Sequence, residues 1–235
     1  MSSSAPSEKA GPPRAQGPRR KLYGRRVGHR LRDHQQELMA QLLPRLAVSP
    51  DVARDPAALF PQASEFWLEV GSGGGEHAAA QAAVNPGVGL IACEPFINGI
   101  AKLLSQIEAQ GLANIRIHQG DARDIIDALP DACIARAFVL FPDPWPKKRH
   151  WKRRFFAREN LAALARVMAQ RAELRLATDK RDYADWALEE VAAEGSFAAA
   201  AQTMTRPLSW PPTRYETKAR AAGRDCTYLS FLRRP

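Results

Sequence analysis

Phe66-Trp67-Leu68-Glu69-Val70-Gly71-Ser72-Gly73-Gly74-Gly75-Glu76 runs an apolar strand straight into a glycine-rich turn, and an Ala-rich helix follows over Glu76 to Val84. Glycines at such a junction let the backbone approach a ligand, and the helix behind them offers free N–H groups. Working outward, the pattern repeats. Val88 to Cys93 reads as a second strand, and Asn98 to Gln110 as a helix with Ile100, Leu103, Leu104 and Ile107 inward, closed by Gly111 as a C-cap. Asn114 to His118, Ile134 to Phe141 and Glu173 to Thr178 read as strands three, four and five. Phe197 to Thr203 and Cys226 to Leu232 add two closing runs around a Pro-rich loop. Strands alternating with helices predict an α/β fold, a mostly parallel, doubly wound sheet of about seven strands with one antiparallel near the C-terminus.

On the N-terminal side, Asp33 with Gln36 suggests a capping box. Leu38, Leu42 and Leu46 then form one helical face, which Pro50 and Pro56 end. Residues Met1 to about Lys21 lack apolar periodicity and read as disordered. Eight basic residues and no acidic one fall between Arg14 and Arg32. The expected organisation is a basic, largely disordered arm over 1–32 and a single domain over 33–235. The arm fits a phosphate backbone or a solvated tail equally well.

The chain has 235 residues and a net charge of +9, a balance that favours polyanionic partners. Cys93, Cys133 and Cys226 are widely spaced and odd in number, so no CxxC zinc or redox site is indicated and a reducing compartment is expected. No apolar run approaches the roughly 18 residues needed to span a bilayer. The N-terminus lacks the apolar core of a secretory signal, so the expected location is cytoplasmic, with no membrane partner. Monomer and homodimer are both compatible with the pattern.

The ligand at the glycine turn is narrowed by charge. Glu76 stands at the third glycine of a GxGxxG pattern, and a carboxylate opening the helix repels a pyrophosphate. A zwitterionic or cationic ligand is better tolerated, which favours S-adenosylmethionine over NAD, with Gly71 and Gly73 closest to it. Glu94 follows strand two, where a carboxylate accepts from both ribose hydroxyls. Asp121 follows strand three, where it can accept from an adenine amino group. Glu69, Glu94 and Asp121 thus come from three successive strand ends. Each could singly be a turn or N-cap residue; three in succession behind a glycine turn weaken that alternative.

Phe141-Pro142-Asp143-Pro144-Trp145-Pro146-Lys147-Lys148-Arg149-His150-Trp151-Lys152-Arg153-Arg154 begins at the end of strand four. Its prolines stiffen a turn that holds Asp143 and Trp145 in fixed directions. Asp143 can accept from the N1/N2 edge of guanine, and Trp145 can wall the base. The Lys and Arg residues that follow read as a phosphate clamp beside that hook. Asp179, after strand five, faces the same edge or caps a helix. Thr213-Arg214-Tyr215-Glu216 presents four functional groups together or is an ordinary capping motif.

The glycine segment, FPDPWPKKRHWKRR, ATDKRDYADWA and TRYE, in this order, resemble the bacterial tRNA (guanine-N7)-methyltransferase family over about Tyr23 to Arg233. The resemblance implies a Rossmann-like class I methyltransferase fold and methyl transfer from S-adenosylmethionine to N7 of guanine 46 in the variable loop of tRNA, leaving S-adenosylhomocysteine. It implies donor binding by Glu69, Glu94, Asp121 and Asp143, with Asp143 as the active-site residue. It implies substrate contact by Lys147, Asp179 and Thr213 to Glu216, and RNA contact by Arg149, His150, Trp151, Lys152, Arg153 and Arg154. No metal is implied. TRYE replaces the commoner TKFE with charge and aromaticity kept. The competing chemistry is an exocyclic amino methyltransferase of the DPPY type, although Trp145 stands one position early for it. A catalytically silent tRNA-binding protein on the same fold is the other alternative.

Overall fold

The computed structural model describes residues 22–24 and 26–235; the part of the expected arm over 1–21 and at 25 lies outside the described residues. Short helices come first: α1 (Asp33–Gln41), α2 (Leu43–Leu46), α3 (Pro50–Ala53) and α4 (Pro56–Leu59). Then come β1 (Glu65–Val70), α5 (Glu76–Val84), β2 (Val88–Cys93), α6 (Ile97–Gln110), β3 (Ile115–His118), α7 (Ala122–Ala128) and β4 (Ile134–Leu140). A 3-10 turn over Lys148–Arg153 leads to α8 (Arg158–Val167), β5 (Met168–Thr178), α9 (Arg181–Glu194), β6 (Phe197–Thr203), α10 (Arg214–Ala221) and β7 (Thr227–Arg233).

The sheet order is β3-β2-β1-β4-β5-β7-β6. Strands β1 to β5 pair in parallel, and β7 inserts antiparallel to both β5 and β6. The sheet is buried on both faces, which explains why β2 is apolar at every position rather than alternating. Leu90 and Ala92 join one core with α5 and α6, while Ile91 and Cys93 join the other with α7, α8 and α9. Among the described residues no helix is long and apolar enough to cross a membrane.

Three local expectations are corrected. Arg32 is the N-cap of α1, not Asp33, and the Gln36 amide donates to the Leu31 carbonyl at 2.9 Å. The leucine face is delivered by two short helices because Pro44 has no N–H to continue one. β5 begins at Met168 rather than Glu173, through a stretch in which Arg171 adopts a left-handed φ of 63° that breaks the apolar pattern.

The last residues before α1 are hydrogen-bonded to the start of α6. The Ile97 N–H donates to the Arg26 carbonyl at 3.0 Å. Asn98 accepts from the Gly28 N–H at 2.7 Å and donates to the His29 carbonyl at 2.6 Å. Arg26, Gly28 and His29 are thereby fastened to the first turn of α6.

Phe138 on β4 is fully buried in the core that α5 and α6 form with the sheet, its ring 4.6 Å from His77 and 5.7 Å from Trp67. Phe138→Ala is expected to cost about 3–5 kcal/mol. At roughly 2–4 °C per kcal/mol for a chain of this size, the thermal midpoint falls by about 10 °C. A shift below about 2 °C in calorimetry contradicts this placement of the core.

Candidate active site

In the strand order, β1 lies beside β4 while the chain from β1 winds outward to β2 and β3. The crossovers on either side leave in opposite directions, and a crevice opens at the carboxyl ends of the strands. The cleft there encloses about 480 Å³. Its inner wall is the glycine turn, with Gly71 at φ 73° and Gly73 at φ 57°, a backbone that side chains rarely adopt. Opposite, α6 approaches so closely that a Cβ on Gly99 would lie 2.2 Å from the Gly73 carbonyl oxygen.

Glu94 ties these parts together. Its carboxylate accepts from the Gly73 N–H at 2.6 Å and the Phe96 N–H at 2.8 Å. Burial pushes its pKa up to about 7, assisted by the charges of Asp143 and Glu69 and opposed by the two N–H donors. Asp121 caps α7 by accepting from the Arg123 N–H at 3.0 Å and also holds the Arg123 guanidinium in a two-point ion pair. Asp121 is thus an N-cap, on a residue that also lines the cleft.

Asp143 reaches the mouth of the same cleft, where desolvation raises its pKa. The hook that carries it is bracketed by Phe141 at φ 51° and Trp145 at φ 42°, each a strained conformation for an aromatic residue. The Trp145 ring packs edge-on to Tyr23 at 5.7 Å and to His150 at 5.9 Å. The Arg153 guanidinium lies 4.1 Å from the centre of the Tyr23 ring and 5.0 Å from that of Trp145.

The structure thus gathers Gly71, Gly73, Glu94, Asp121 and Asp143 on one cleft, with Lys152, Arg153, Arg214 and Tyr215 at its margin. Lys147 and Arg149 are exposed beside the hook. His150 is half-buried there, its pKa lowered by desolvation and by Arg153 and Arg149.

Other expected residues are turned away. Glu69 is buried beneath the glycine turn and bonded to His77 Nδ1 at 2.8 Å, so it braces the loop from below. Asp179 accepts from Arg224 Nε at 2.6 Å and lies outside the cleft wall. Thr213 caps α10, accepting from the Glu216 N–H at 3.1 Å. Glu216 is buried and accepts from Arg206 and Arg220. The TRYE segment therefore divides: Thr213 caps the helix, Glu216 is held by two arginines, and the inner pair, Arg214 and Tyr215, lines the cleft.

Two residues of the basic block are corrected most strongly. Arg154 is 1% exposed, and its guanidinium cannot reach an RNA phosphate. Trp151 packs inward, its ring 6.4 Å from Trp186. Tyr23 and Arg123 line the cleft without having been singled out from the sequence. Tyr23 did carry a signal, as an aromatic within a basic run.

The chain matches a family model described as "Putative methyltransferase" over residues 63–229. It is 49% identical over 225 residues to the tRNA (guanine-N(7)-)-methyltransferase of Paracoccus denitrificans, covering 92% of this chain and 96% of that protein. To the protein of the same name from Jannaschia sp. it is 46% identical over 234 residues, covering 94% and 98%. The chain belongs to the tRNA (guanine-N7)-methyltransferase family. Its fold is shared with the solved 16S rRNA methyltransferase KamB, at a TM-score of 0.55 and 19% identity over 74% of this chain and 90% of that one. At that identity the likeness speaks for the class I methyltransferase architecture alone.

In this methyltransferase, Glu94 links pH to stability. The folded state keeps the Glu94 proton up to about pH 7, whereas the unfolded chain loses it near 4.5. The contribution is fully present below the lower value and is lost as pH rises through the upper one. Glu94→Gln should therefore gain on the wild type, by up to about 3 kcal/mol, between pH 5 and pH 8. A wild-type-minus-variant difference in thermal midpoint that does not move with pH would rule out a buried, proton-holding Glu94.

Proposed function

We propose that this chain transfers the methyl group of S-adenosylmethionine to N7 of a guanine in tRNA, at position 46 of the variable loop. The observation that carries the reading is that Asp143, on its proline-braced hook, opens onto the cleft walled by Glu94 and Asp121. The residues present suit this donor. Asp143, joined by Glu94 once it ionises above about pH 7, lends the cleft negative charge that favours a ligand with ammonium and sulfonium groups, and Glu94 sits where ribose hydroxyls can join the N–H donors it already accepts. A Cβ at Gly71 would meet nothing within 4 Å, so the turn leaves room above it for the ligand.

S-adenosylmethionine, when bound, supplies a sulfonium-activated methyl group open to direct displacement. Guanine N7 carries an in-plane lone pair and needs no general base to expose it, so catalysis is chiefly positioning. Asp143 holds the N1/N2 edge of the base and offsets the positive charge that develops on the purine. Trp145 and Tyr23 wall the base, and Lys152 and Arg153 at the rim meet the phosphate backbone.

The decisive assay is incubation with unmodified tRNA and labelled donor, followed by borohydride and aniline treatment to locate the product. Strand scission at position 46 is expected. Labelled but uncleaved tRNA points to an exocyclic amino group and contradicts the proposal. Asp143→Ala is expected to lower kcat by at least about 100-fold, the scale of lost transition-state electrostatics; near-normal turnover with tRNA bound removes Asp143 from this role. Replacing Lys152 and Arg153 by Gln is expected to weaken tRNA binding and flatten its log–log salt slope by about 1–2. An unchanged slope contradicts the rim as an RNA contact.

A further inference from the structure

The segment that presents Asp143 has little backbone support of its own. Pro142, Pro144 and Pro146 have no N–H, and among the described residues no backbone–backbone hydrogen bond begins or ends within 142–146. The turn is nevertheless held between two left-handed aromatic residues, a geometry that costs about 1–3 kcal/mol at each and persists only where surroundings impose it. Something outside the turn must impose it.

The bond that reaches the middle of the turn comes from the residue least suited to RNA. Arg154 Nε donates to the Pro144 carbonyl at 2.8 Å, one residue after Asp143. Its Nη2 donates to Asp182 Oδ2 at 2.6 Å, at the start of α9. The guanidinium carbon sits 4.4 Å from the centre of the Trp151 ring, 5.0 Å from that of Tyr183 and 5.1 Å from that of Trp186. This box explains how a charged group is retained with its side chain at 0% exposure, since ring faces and a carboxylate replace much of its hydration. The carboxylate partner is half-exposed, so water screens the pair and it adds little net stability; what a rigid planar fork supplies is direction.

We infer that Arg154 is a positioning residue for methyl transfer: anchored to α9 and boxed by aromatic rings, it pins the Pro144 carbonyl and so fixes the direction in which Asp143 enters the cleft. It acts through Asp143 and does not touch tRNA. Neighbouring Arg153, which faces the rim, has the opposite division of labour. The inference rests on the reading of Asp143 as the residue that meets the guanine.

The test compares Arg154→Lys, Asp182→Asn and Arg153→Gln in the full-length protein. Lysine keeps the charge within the box but cannot donate to Pro144 and Asp182 from one plane. Arg154→Lys is expected to lower kcat at least tenfold, with tRNA affinity and its salt slope within twofold of wild type. Asp182→Asn is expected to shift kcat in the same direction by a smaller factor, and Arg153→Gln to weaken tRNA binding instead. A flattened salt slope in Arg154→Lys, or an unchanged kcat, overturns the inference.

A second readout is independent of turnover. In protein labelled with 5-fluorotryptophan, the Trp145 fluorine signal is expected to move in Arg154→Lys although Arg154 does not touch that ring, while the Trp67 signal stays fixed. A merely structural role would disturb Trp151 and Trp186, which do touch Arg154, and leave Trp145 in place, and that pattern also overturns the inference. If the wild type proves inactive on guanine N7, the proposed reaction fails, and the Trp145 signal still decides whether Arg154 holds the hook.

Discussion

β1 and β4 lie side by side although two strands, β2 and β3, come between them in the chain, and the cleft follows from that adjacency. The glycine turn at the end of β1 and the proline hook at the end of β4 are forced to face each other across the crevice. The parallel register that seats Val70 against Val139 sets how far apart they stand. Donor and acceptor sites thus arise as neighbours from strand order, before any side chain is considered.

Side chains then convert the crevice into a charged pocket with stiff walls. Glu94 ties the glycine turn to the end of β2, Asp121 closes the start of α7, and Glu69 braces the turn from below through His77. Each carboxylate thus has a structural partner in addition to the face or charge it lends the cleft. The opposite wall relies on cations and rings: Arg153 between Tyr23 and Trp145 at the rim, and Arg154 among three aromatics beneath. The result is a cleft in which Glu94, Asp121 and Asp143 share the lining with a margin of cations, a margin suited to a polyanion docked outside.

Periodic burial made the sheet legible from sequence. The bounds of α5 and β2 and the glycine cap of α6 follow from patterns that depend only on neighbours in the chain. The glycine turn and the proline hook were legible for the same reason, since both are local backbone requirements. Direction of side chains was not. Lys152, Arg153 and Arg154 are indistinguishable as a basic run, yet a 3-10 turn leaves Lys152 exposed and Arg153 half-buried at the rim and turns Arg154 into the core. Asp179, Thr213 and Glu216 likewise sit at the expected strand and helix ends, but Arg224, Arg206 and Arg220, and the α10 cap itself, engage them from positions with no visible sequence relation. Tyr23 reached the cleft because Asn98, about 70 residues later, fastens the chain that follows it.

The most direct test of the account is a crystal structure of the protein with S-adenosylhomocysteine and tRNA. The thioether ligand is expected between the glycine turn and Glu94, with a guanine drawn out of the RNA into the same cleft. Its N1/N2 edge should meet Asp143, and its N7 should point at the ligand sulfur. A base lodged elsewhere, or one whose exocyclic amine faces the sulfur, contradicts it.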